Sequence, residues 1–295
     1  MSNEIDYANG YRSFLLPRPT SIGELLPELM DDMGDSEKCY VWRGQRCFSW
    51  KPFPGLYRRL QKRYADEQID EQLVREYEND LLAEANGLGY IDTCGGSRLE
   101  FMIQLQHFGG ATRLLDVTRD PFVALFFALG DDKCDGIVYR YAIHRSCYAS
   151  PETVNEWYDV VDDSNAGRPL LFSPKGVNER IKAQSAAFLT SVLDASLSEA
   201  SVFTNVTKDS SVKPVLIARE LKRDLKAYLQ TSRGIRYHDL FPDFEGFAHA
   251  NGQNEPFPRA YEQLYGKGRI WPYKPSYQDI RREAELALRS ASYGD

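Results

Sequence analysis

The feature of this sequence that most constrains its fold is the stretch at residues 104–129, QLQHFGGATRLLDVTRDPFVALFFAL. Apolar residues at helical spacing lead into it and stop at a Gly-Gly pair, 109–110, which predicts the end of a helix. The short, half-apolar run 112–118 predicts a strand. Asp120 and Pro121 are typical of a helix start, and the almost wholly apolar run after them predicts a buried helix. The stretch therefore predicts a helix, a strand and a second helix around one core.

Three polar residues, Arg113, Asp116 and Thr118, are thereby predicted to lie between two core helices. A charge so close to a core belongs either to a structural ion pair or to a site. For Asp116 and for Arg43 of an earlier predicted strand, a mutual or neighbouring buried ion pair and the binding of a ligand are equally good hypotheses. Arg113 lies beside two leucines, which favours a guanidinium that hydrogen-bonds strand ends. A turn and helix cap is the structural alternative for Thr118.

The rest of the chain predicts a single α/β domain. Its 295 residues and 42% hydrophobic content are enough for a large core. Helices are predicted near 20–30 and 66–87, and further strands near 39–42, 136–143, Phe188 and 212–218. These elements favour an α/β (α+β) fold with a mixed, mostly antiparallel central sheet and flanking helices. The predicted boundaries are an N-terminal arm at 1–19, the domain at 20–250, and a C-terminal extension at 251–295 that ends in a helix.

Composition and pattern disfavour several classes of protein. No run is long and apolar enough to span a membrane, and the N-terminus lacks a basic region followed by an apolar one, so we expect a cytoplasmic protein without a membrane partner. The five cysteines are scattered and form no CxxC pair, which argues against a disulfide framework or a zinc site. The net charge of -7 offers no general attraction to nucleic acid, although a local basic stripe stays compatible with it.

Four separated groups of residues carry a resemblance to a known family. They are YVWRGQ at 40–45, QHFG with TRLLDVT and ALFFA at 106–128, Arg180 with Gln184 and Phe188, and LFPD at 240–243. In this order they are similar to the FRG domain family, which is named for an aromatic-Arg-Gly motif. The resemblance covers roughly residues 20–250. The chain departs from the family pattern, with changes that keep size or polarity, at Trp42, Phe108, Gly110, Ala111 and Ala186.

The strand end at Arg43 also resembles the first motif of arginine-type ADP-ribosyltransferases. In that family the arginine binds a phosphate of NAD through its planar fork, and the following glycine clears space beside it. Thr118 matches a Ser or Thr of the second motif, and Gln184 matches the Glu that stabilises an oxocarbenium-like transition state. The resemblance thus implies an ADP-ribosyltransferase-like fold and NAD as substrate. It implies catalytic roles for Gln184, Thr118 and Asp116, and NAD contacts from Arg43, Gly44, Gln45, His107, Arg113 and Phe188.

Two functional hypotheses of different classes follow. The first is an enzyme that uses NAD to modify a protein or a nucleic acid, or that consumes NAD, as toxins and anti-phage effectors do. The second is a catalytically silent nucleotide- or partner-binding module, which Gln184 favours because an amide lacks the charge of a carboxylate. If the chain is an enzyme, alternative sources of that charge are Glu179, Asp243 and Glu245.

A third hypothesis, a metal-dependent nuclease that uses Asp116, Asp120 and Asp243, is weaker. These carboxylates lack the paired spacing that positions two metal ions. His107 lies next to a predicted helix end, where a capping or packing histidine is more frequent than a catalytic base. We expect four polar residues of the predicted strands to converge on one concave site: Arg43, Asp116, Thr118 and Gln184.

Overall fold

The computed structural model describes residues 16–31, 33–64, 69–130, 133–150, 153–174, 178–193 and 209–250. The chain divides into two compact units, Met1–Phe247 and Ala248–Asp295, and almost all described residues belong to the first. The predicted C-terminal helix and most of the predicted N-terminal arm lie outside the described residues.

Eleven α-helices are present among the described residues. They are α1 (Ile22–Met30), α2 (Gly55–Arg63), α3 (Glu71–Gly87), α4 (Tyr90–Thr93), α5 (Arg98–His107), α6 (Pro121–Ala128), α7 (Trp157–Val160), α8 (Glu179–Ala183), α9 (Lys222–Ser232), α10 (Tyr237–Leu240) and α11 (Phe244–Ala250). None of the described helices is both long and apolar enough to span a membrane.

The described strands form one seven-stranded sheet. They are β1 (Lys38–Gln45), β2 (Leu115–Thr118), β3 (Gly136–His144), β4 (Tyr148–Ala149), β5 (Leu170–Phe172), β6 (Ala186–Thr190) and β7 (Ser210–Ile217). Their order in the sheet is β4-β5-β6-β2-β1-β3-β7. Neighbouring strands are antiparallel except β4 and β5, which run parallel. The predicted mixed, mostly antiparallel sheet with flanking helices is therefore confirmed.

The central stretch of the sequence folds as its pattern predicts. Helix α5 begins after the capping residue Ser97 and ends at His107. Gly109 follows in the left-handed conformation, with φ of 80°, which a glycine adopts without steric cost. Asp120 caps α6, since its Oδ1 accepts a hydrogen bond from the Phe122 amide at 2.8 Å. The predicted order of helix, strand and helix is confirmed, with β2 shorter than the predicted run.

Each face of the sheet is covered by different helices, as the alternation of β1 shows. Val41 packs with α2 and α3 on one face. Trp42 packs with α1, α6 and α9 on the other, and its indole Nε1 donates a hydrogen bond to the Leu29 carbonyl at 3.0 Å. Another apolar cluster joins α3, α5 and α7 to β5 and β6. Helices α2 and α9 therefore lie on opposite faces of the sheet.

Candidate functional site

A cleft opens where the two central strands β1 and β2 stop pairing. The strand β1 pairs with β3 at eight positions, from Lys38 to Gln45, but it pairs with β2 at a single position, Trp42 opposite Thr118. Beyond that position the Arg43 side chain, through Nη1, donates a hydrogen bond to the Asp116 carbonyl at 2.7 Å. The gap between the strands becomes part of a cleft of about 300 Å³. A sheet that is otherwise continuous thus provides an opening at its centre.

The cleft brings together most of the residues that the sequence singled out. Residues of β1, α5, β2, α6, α8 and β6 line it, together with Phe241. The predicted residues among them are Arg43, Gly44, His107, Asp116, Thr118, Gln184 and Phe188. The expected convergence of Arg43, Asp116, Thr118 and Gln184 is therefore observed, although Gln184 lies in the turn between α8 and β6 and not on the predicted strand. The chemical roles of these residues stay predictions.

Of the two described arginines that line the cleft, Arg43 is the one with a buried hydrogen-bond donor that has no partner. Its Nε is buried and has no hydrogen-bond partner, while Nη1 is bound to the main chain of Asp116. No described carboxylate forms an ion pair with Arg43, so the hypothesis of a mutual Arg43–Asp116 ion pair is wrong. A buried donor without a partner is destabilising unless a ligand or water satisfies it. The Arg43 side chain is therefore well placed to receive an anionic acceptor.

Asp116 presents an oriented carboxylate to the same cleft. Its Oδ2 accepts a hydrogen bond from Gln106 Nε2 at 2.7 Å. Gln106 is itself held by Thr112, whose hydroxyl donates to Gln106 Oε1 at 2.6 Å. This chain of hydrogen bonds fixes the amide so that its NH₂ group faces Asp116. Sequence reasoning missed the role of Gln106, although the residue lies in the QHFG motif that carried the family resemblance.

Thr118 and Gln184 are joined to each other and to their surroundings. The Thr118 hydroxyl donates to the main-chain carbonyl of Gln184 at 2.6 Å and accepts from the main-chain amide of Asp120 at 3.0 Å. Gln184 Nε2 donates to the Leu240 carbonyl at 3.0 Å. The next residue, Ser185, has φ of 46°, which an L-residue rarely adopts. The turn from α8 into β6 is therefore held tightly against the end of β2.

An ion cluster lies beside another wall of the cleft, to which its member Arg180 contributes. Arg180 donates from Nε and Nη2 to the two carboxylate oxygens of Asp243, each at 2.6 Å, and from Nη2 to Glu245 at 3.2 Å. The Arg180 guanidinium also lies 5.2 Å from the centre of the Phe241 ring. The hydrogen bonds from Arg180 lower the pKa of Asp243. Since Asp243 and Glu245 share the single Arg180 guanidinium, the cluster keeps a net negative charge beside the cleft.

His107 lies beside this cluster and is held in its neutral form. Burial lowers its pKa, and the nearby Arg180 guanidinium lowers it further. The His107 Nε2 atom is 3.9 Å from Asp243 and 3.8 Å from Glu245, too far for hydrogen bonds. A neutral imidazole has both a donor and an acceptor nitrogen, so His107 can contact a polar ligand in either sense.

Gly44 serves the packing of a helix. A Cβ atom at this position would lie 1.7 Å from the Ala124 carbonyl oxygen of α6. Gly136, on the neighbouring strand, is restricted in the same way by the Ala128 carbonyl, at 2.3 Å. The two glycines allow the α6 backbone to lie directly on the sheet. The resemblance implied space for NAD beside Gly44, but the backbone of α6 fills the space where a Cβ atom would lie.

Two of the proposed ligand contacts, Gln45 and Arg113, lie outside the residues that line the cleft. Gln45 is 7% exposed, and its Nε2 donates to the Lys51 carbonyl at 3.4 Å. Arg113 is 0% exposed and donates from Nε and Nη2 to both carboxylate oxygens of Glu78 on α3, at 2.7 and 2.6 Å. The assignment of these two residues to NAD binding is corrected, because both side chains are buried outside the cleft. Glu78 binds Arg113, and Gln45 Oε1 is buried without a hydrogen-bond partner.

The three carboxylates of the nuclease hypothesis do not act together. Asp120 caps α6, Asp243 binds Arg180, and Asp116 binds Gln106. Across the described residues, no group of three or more metal-ligating side chains is present. The geometry therefore gives no support to a metal-dependent nuclease.

The fold and the cleft define a mixed α/β protein with a polar opening between two central strands. Residues 38–135 match the family model of the FRG domain. This range runs from β1 to the residue before β3, and it contains Arg43, Gln106 and Asp116. The motifs at 180–188 and 240–243 lie beyond the matched range but line or adjoin the same cleft. No curated protein and no solved structure matches the chain.

Proposed function

We propose that the cleft binds a nucleotide through its phosphates, with NAD as the first candidate. The observation that carries this proposal is the Arg43 guanidinium, which has a buried Nε without a partner and faces a cleft with aromatic walls. A phosphate offers acceptors that match the planar fork of an arginine. The aromatic side chains Phe127, Phe188 and Phe241 provide surfaces for the flat rings of a dinucleotide.

We further propose that the bound NAD is cleaved at the bond between nicotinamide and ribose. Nicotinamide departs with the bonding electron pair, and positive charge develops on the ribose. Asp116 is the one carboxylate among the described residues that line the cleft, and a carboxylate fixed in advance stabilises such a charge. Water, or a nucleophile of a macromolecule, then forms the new bond to the ribose carbon and loses its proton. Such an activity would suit a toxin or an anti-phage effector.

The binding step is tested with Arg43→Lys, which keeps the charge and loses the fork. We expect NAD affinity to fall by about tenfold or more, because a hydrogen bond to a charged group contributes about 1.5–3 kcal/mol. Isothermal titration calorimetry measures the affinity, and the melting temperature should stay close to that of the wild type. Arg98→Lys is the matched control, since Arg98 binds the Tyr158 hydroxyl away from the cleft.

If Arg43→Lys lowers the melting temperature while NAD affinity is unchanged, Arg43 is structural and the binding proposal is wrong. If wild type and Arg98→Lys both fail to bind NAD, a panel of adenine nucleotides separates a different phosphate ligand from no ligand at all.

The catalytic step is tested with Asp116→Asn and labelled NAD. We expect nicotinamide release to fall by about 10² to 10³, the usual effect of removing one preorganised electrostatic contact. NAD affinity should change little, because Arg43 contacts the Asp116 main chain and that contact is retained. Release by Asp116→Asn at the wild-type rate would show that the charge comes from another residue.

A second candidate function, a catalytically silent nucleotide-binding module, is favoured by a specific observation. The Thr118 hydroxyl proton and the Gln184 amide are both engaged with main-chain carbonyls, and Gln184 carries no charge. In this case the wild type binds NAD in an Arg43-dependent manner and releases no nicotinamide. The two assays together therefore distinguish the enzyme from the module.

A further inference from the structure

Positive charge is concentrated in one short segment of an acidic chain. Residues 46–63, RCFSWKPFPGLYRRLQKR, contain six of the 36 basic residues and none of the 43 acidic ones. The remainder of the chain is left with 30 basic residues against 43 acidic ones. A net negative protein that keeps one segment free of carboxylates has a local surface that attracts polyanions.

The structure places most of this charge on one side of α2. Its apolar residues Leu56, Tyr57 and Leu60 are buried in the core beneath the sheet. The basic residues on the other side are exposed: Arg58, Arg59, Lys62 and Arg63. They are spaced so that pairs four residues apart share a helix face. Among the described residues, no carboxylate is within ion-pair distance of these four, so their charge is available to a partner.

The loop before α2 adds an aromatic ring to this basic surface. Trp50 is 43% exposed, and the Arg46 guanidinium lies 4.9 Å from the centre of its ring. The Lys51 carbonyl accepts a hydrogen bond from Gln45 of β1 at 3.4 Å, which ties the loop to the sheet. Cations beside an exposed aromatic ring are the combination that binds single-stranded nucleic acid, with phosphates on the cations and bases on the ring.

The basic surface also adjoins the cleft. Burial lowers the pKa of Arg58, and the repulsion of the nearby Arg43 guanidinium lowers it further, while Asp116 opposes the change. Arg58 therefore lies within electrostatic range of two residues that line the cleft.

We propose that residues 46–63 bind single-stranded nucleic acid, with phosphates along the exposed face of α2 and a base stacked on Trp50. The exposed ring favours this partner over an acidic polypeptide, which has no base to stack, and over a duplex, whose bases are already stacked. The proposal goes beyond nucleotide binding in the cleft and is independent of it. If the cleft also transfers ADP-ribose, the surface supplies the class of macromolecule that is modified.

The test measures binding of a fluorescein-labelled single strand of about 20 nucleotides to the full chain by fluorescence anisotropy, without NAD. Each neutralised phosphate of a single strand contributes about 0.7 to the salt slope, so the four exposed cations of α2 predict a slope of about -3. Between about 50 and about 200 mM salt, the affinity should therefore fall by about 50-fold.

Charge reversal tests the location of the surface. Lys62→Glu with Arg63→Glu should weaken binding at least about tenfold and reduce the slope by about 1.4. The matched control, Arg223→Glu with Arg233→Glu, changes the net charge equally at exposed positions in and directly after α9, the helix on the opposite face of the sheet. It should bind as the wild type does. Equal weakening in the two double variants would refute the proposal, because total charge alone would then be responsible.

The Trp50→Ala variant tests the class of partner. Loss of one stacked base should weaken single-strand binding by about tenfold, while the melting temperature stays close to that of the wild type. Unchanged affinity in Trp50→Ala, or competition by polyglutamate as effective as that by the oligonucleotide, would refute the single-strand assignment. Absence of binding at low salt would refute it too, and none of these outcomes depends on whether the cleft binds NAD.

Discussion

The buried ion pair between Arg113 and Glu78 supports a quantitative prediction about stability. Arg113 is 0% exposed and Glu78 is 2% exposed, and two hydrogen bonds of 2.7 and 2.6 Å join them. Glu71 gives the guanidinium one further contact, at 3.0 Å. Burial alone would lower the pKa of Arg113, but the Glu78 carboxylate outweighs it and raises the pKa. The guanidinium is therefore charged, and it depends on Glu78 to remain so in the core.

The perturbation is Glu78→Gln, which keeps the size of the side chain and removes its charge. Breaking one partner of a buried pair costs about 3–5 kcal/mol. Because Glu71 still contacts Arg113, we expect the lower end, about 3 kcal/mol, which is a large share of a typical free energy of unfolding of about 5–15 kcal/mol. For a unit of this size, the melting temperature should fall by about 6–12 °C.

Urea denaturation followed by circular dichroism measures the change. The matched control is Glu76→Gln on the same helix, because Glu76 is exposed and accepts a hydrogen bond from Gln72; its effect should stay within about 0.5 kcal/mol. Arg113→Met with Glu78→Leu should recover most of the stability, since an apolar pair avoids the desolvation of two charges. A loss below about 1 kcal/mol in Glu78→Gln would refute the reasoning.

Three further outcomes are expected. Gly44→Ala should lower the free energy of unfolding by about 3 kcal/mol or more, because its Cβ would overlap a carbonyl of α6; Gly34→Ala, which has nothing within 4 Å, should not. Burial, and then the neighbouring Arg180 guanidinium, lower the pKa of His107 below its ordinary 6.5. The folded state therefore favours the neutral imidazole. This contribution to the free energy of unfolding is complete above pH 6.5 and is lost as the pH falls through the lowered pKa. His107→Gln should flatten this dependence in urea titrations at about pH 5 and about pH 7.5. Gln184→Glu should lower nicotinamide release, because a carboxylate would face the Leu240 carbonyl in place of a donor; faster release would show that this contact is dispensable.

The order of secondary structure elements could be predicted from the sequence because it depends on short-range chemistry. The glycines after α5, the Asp120 cap of α6 and the apolar run of α6 act within a few residues. The strand near 39–42 was also predicted, from its run of residues with high strand propensity. Because neighbouring strands bring distant motifs together, the sequence also predicted that Arg43 and Gln184 meet in one cleft, as the lining residues of β1 and the α8–β6 turn do.

The pairing of the polar groups was decided by the tertiary structure. The sequence determined that Arg113 lies close to a core, but its partner Glu78 is 35 residues away and becomes a neighbour only when α3 packs on the sheet. Likewise, Arg43 meets the main chain of Asp116, and the Asp116 carboxylate meets Gln106. Burial and hydrogen-bond geometry select these partners from many residues of suitable type, and both depend on how distant segments are brought together.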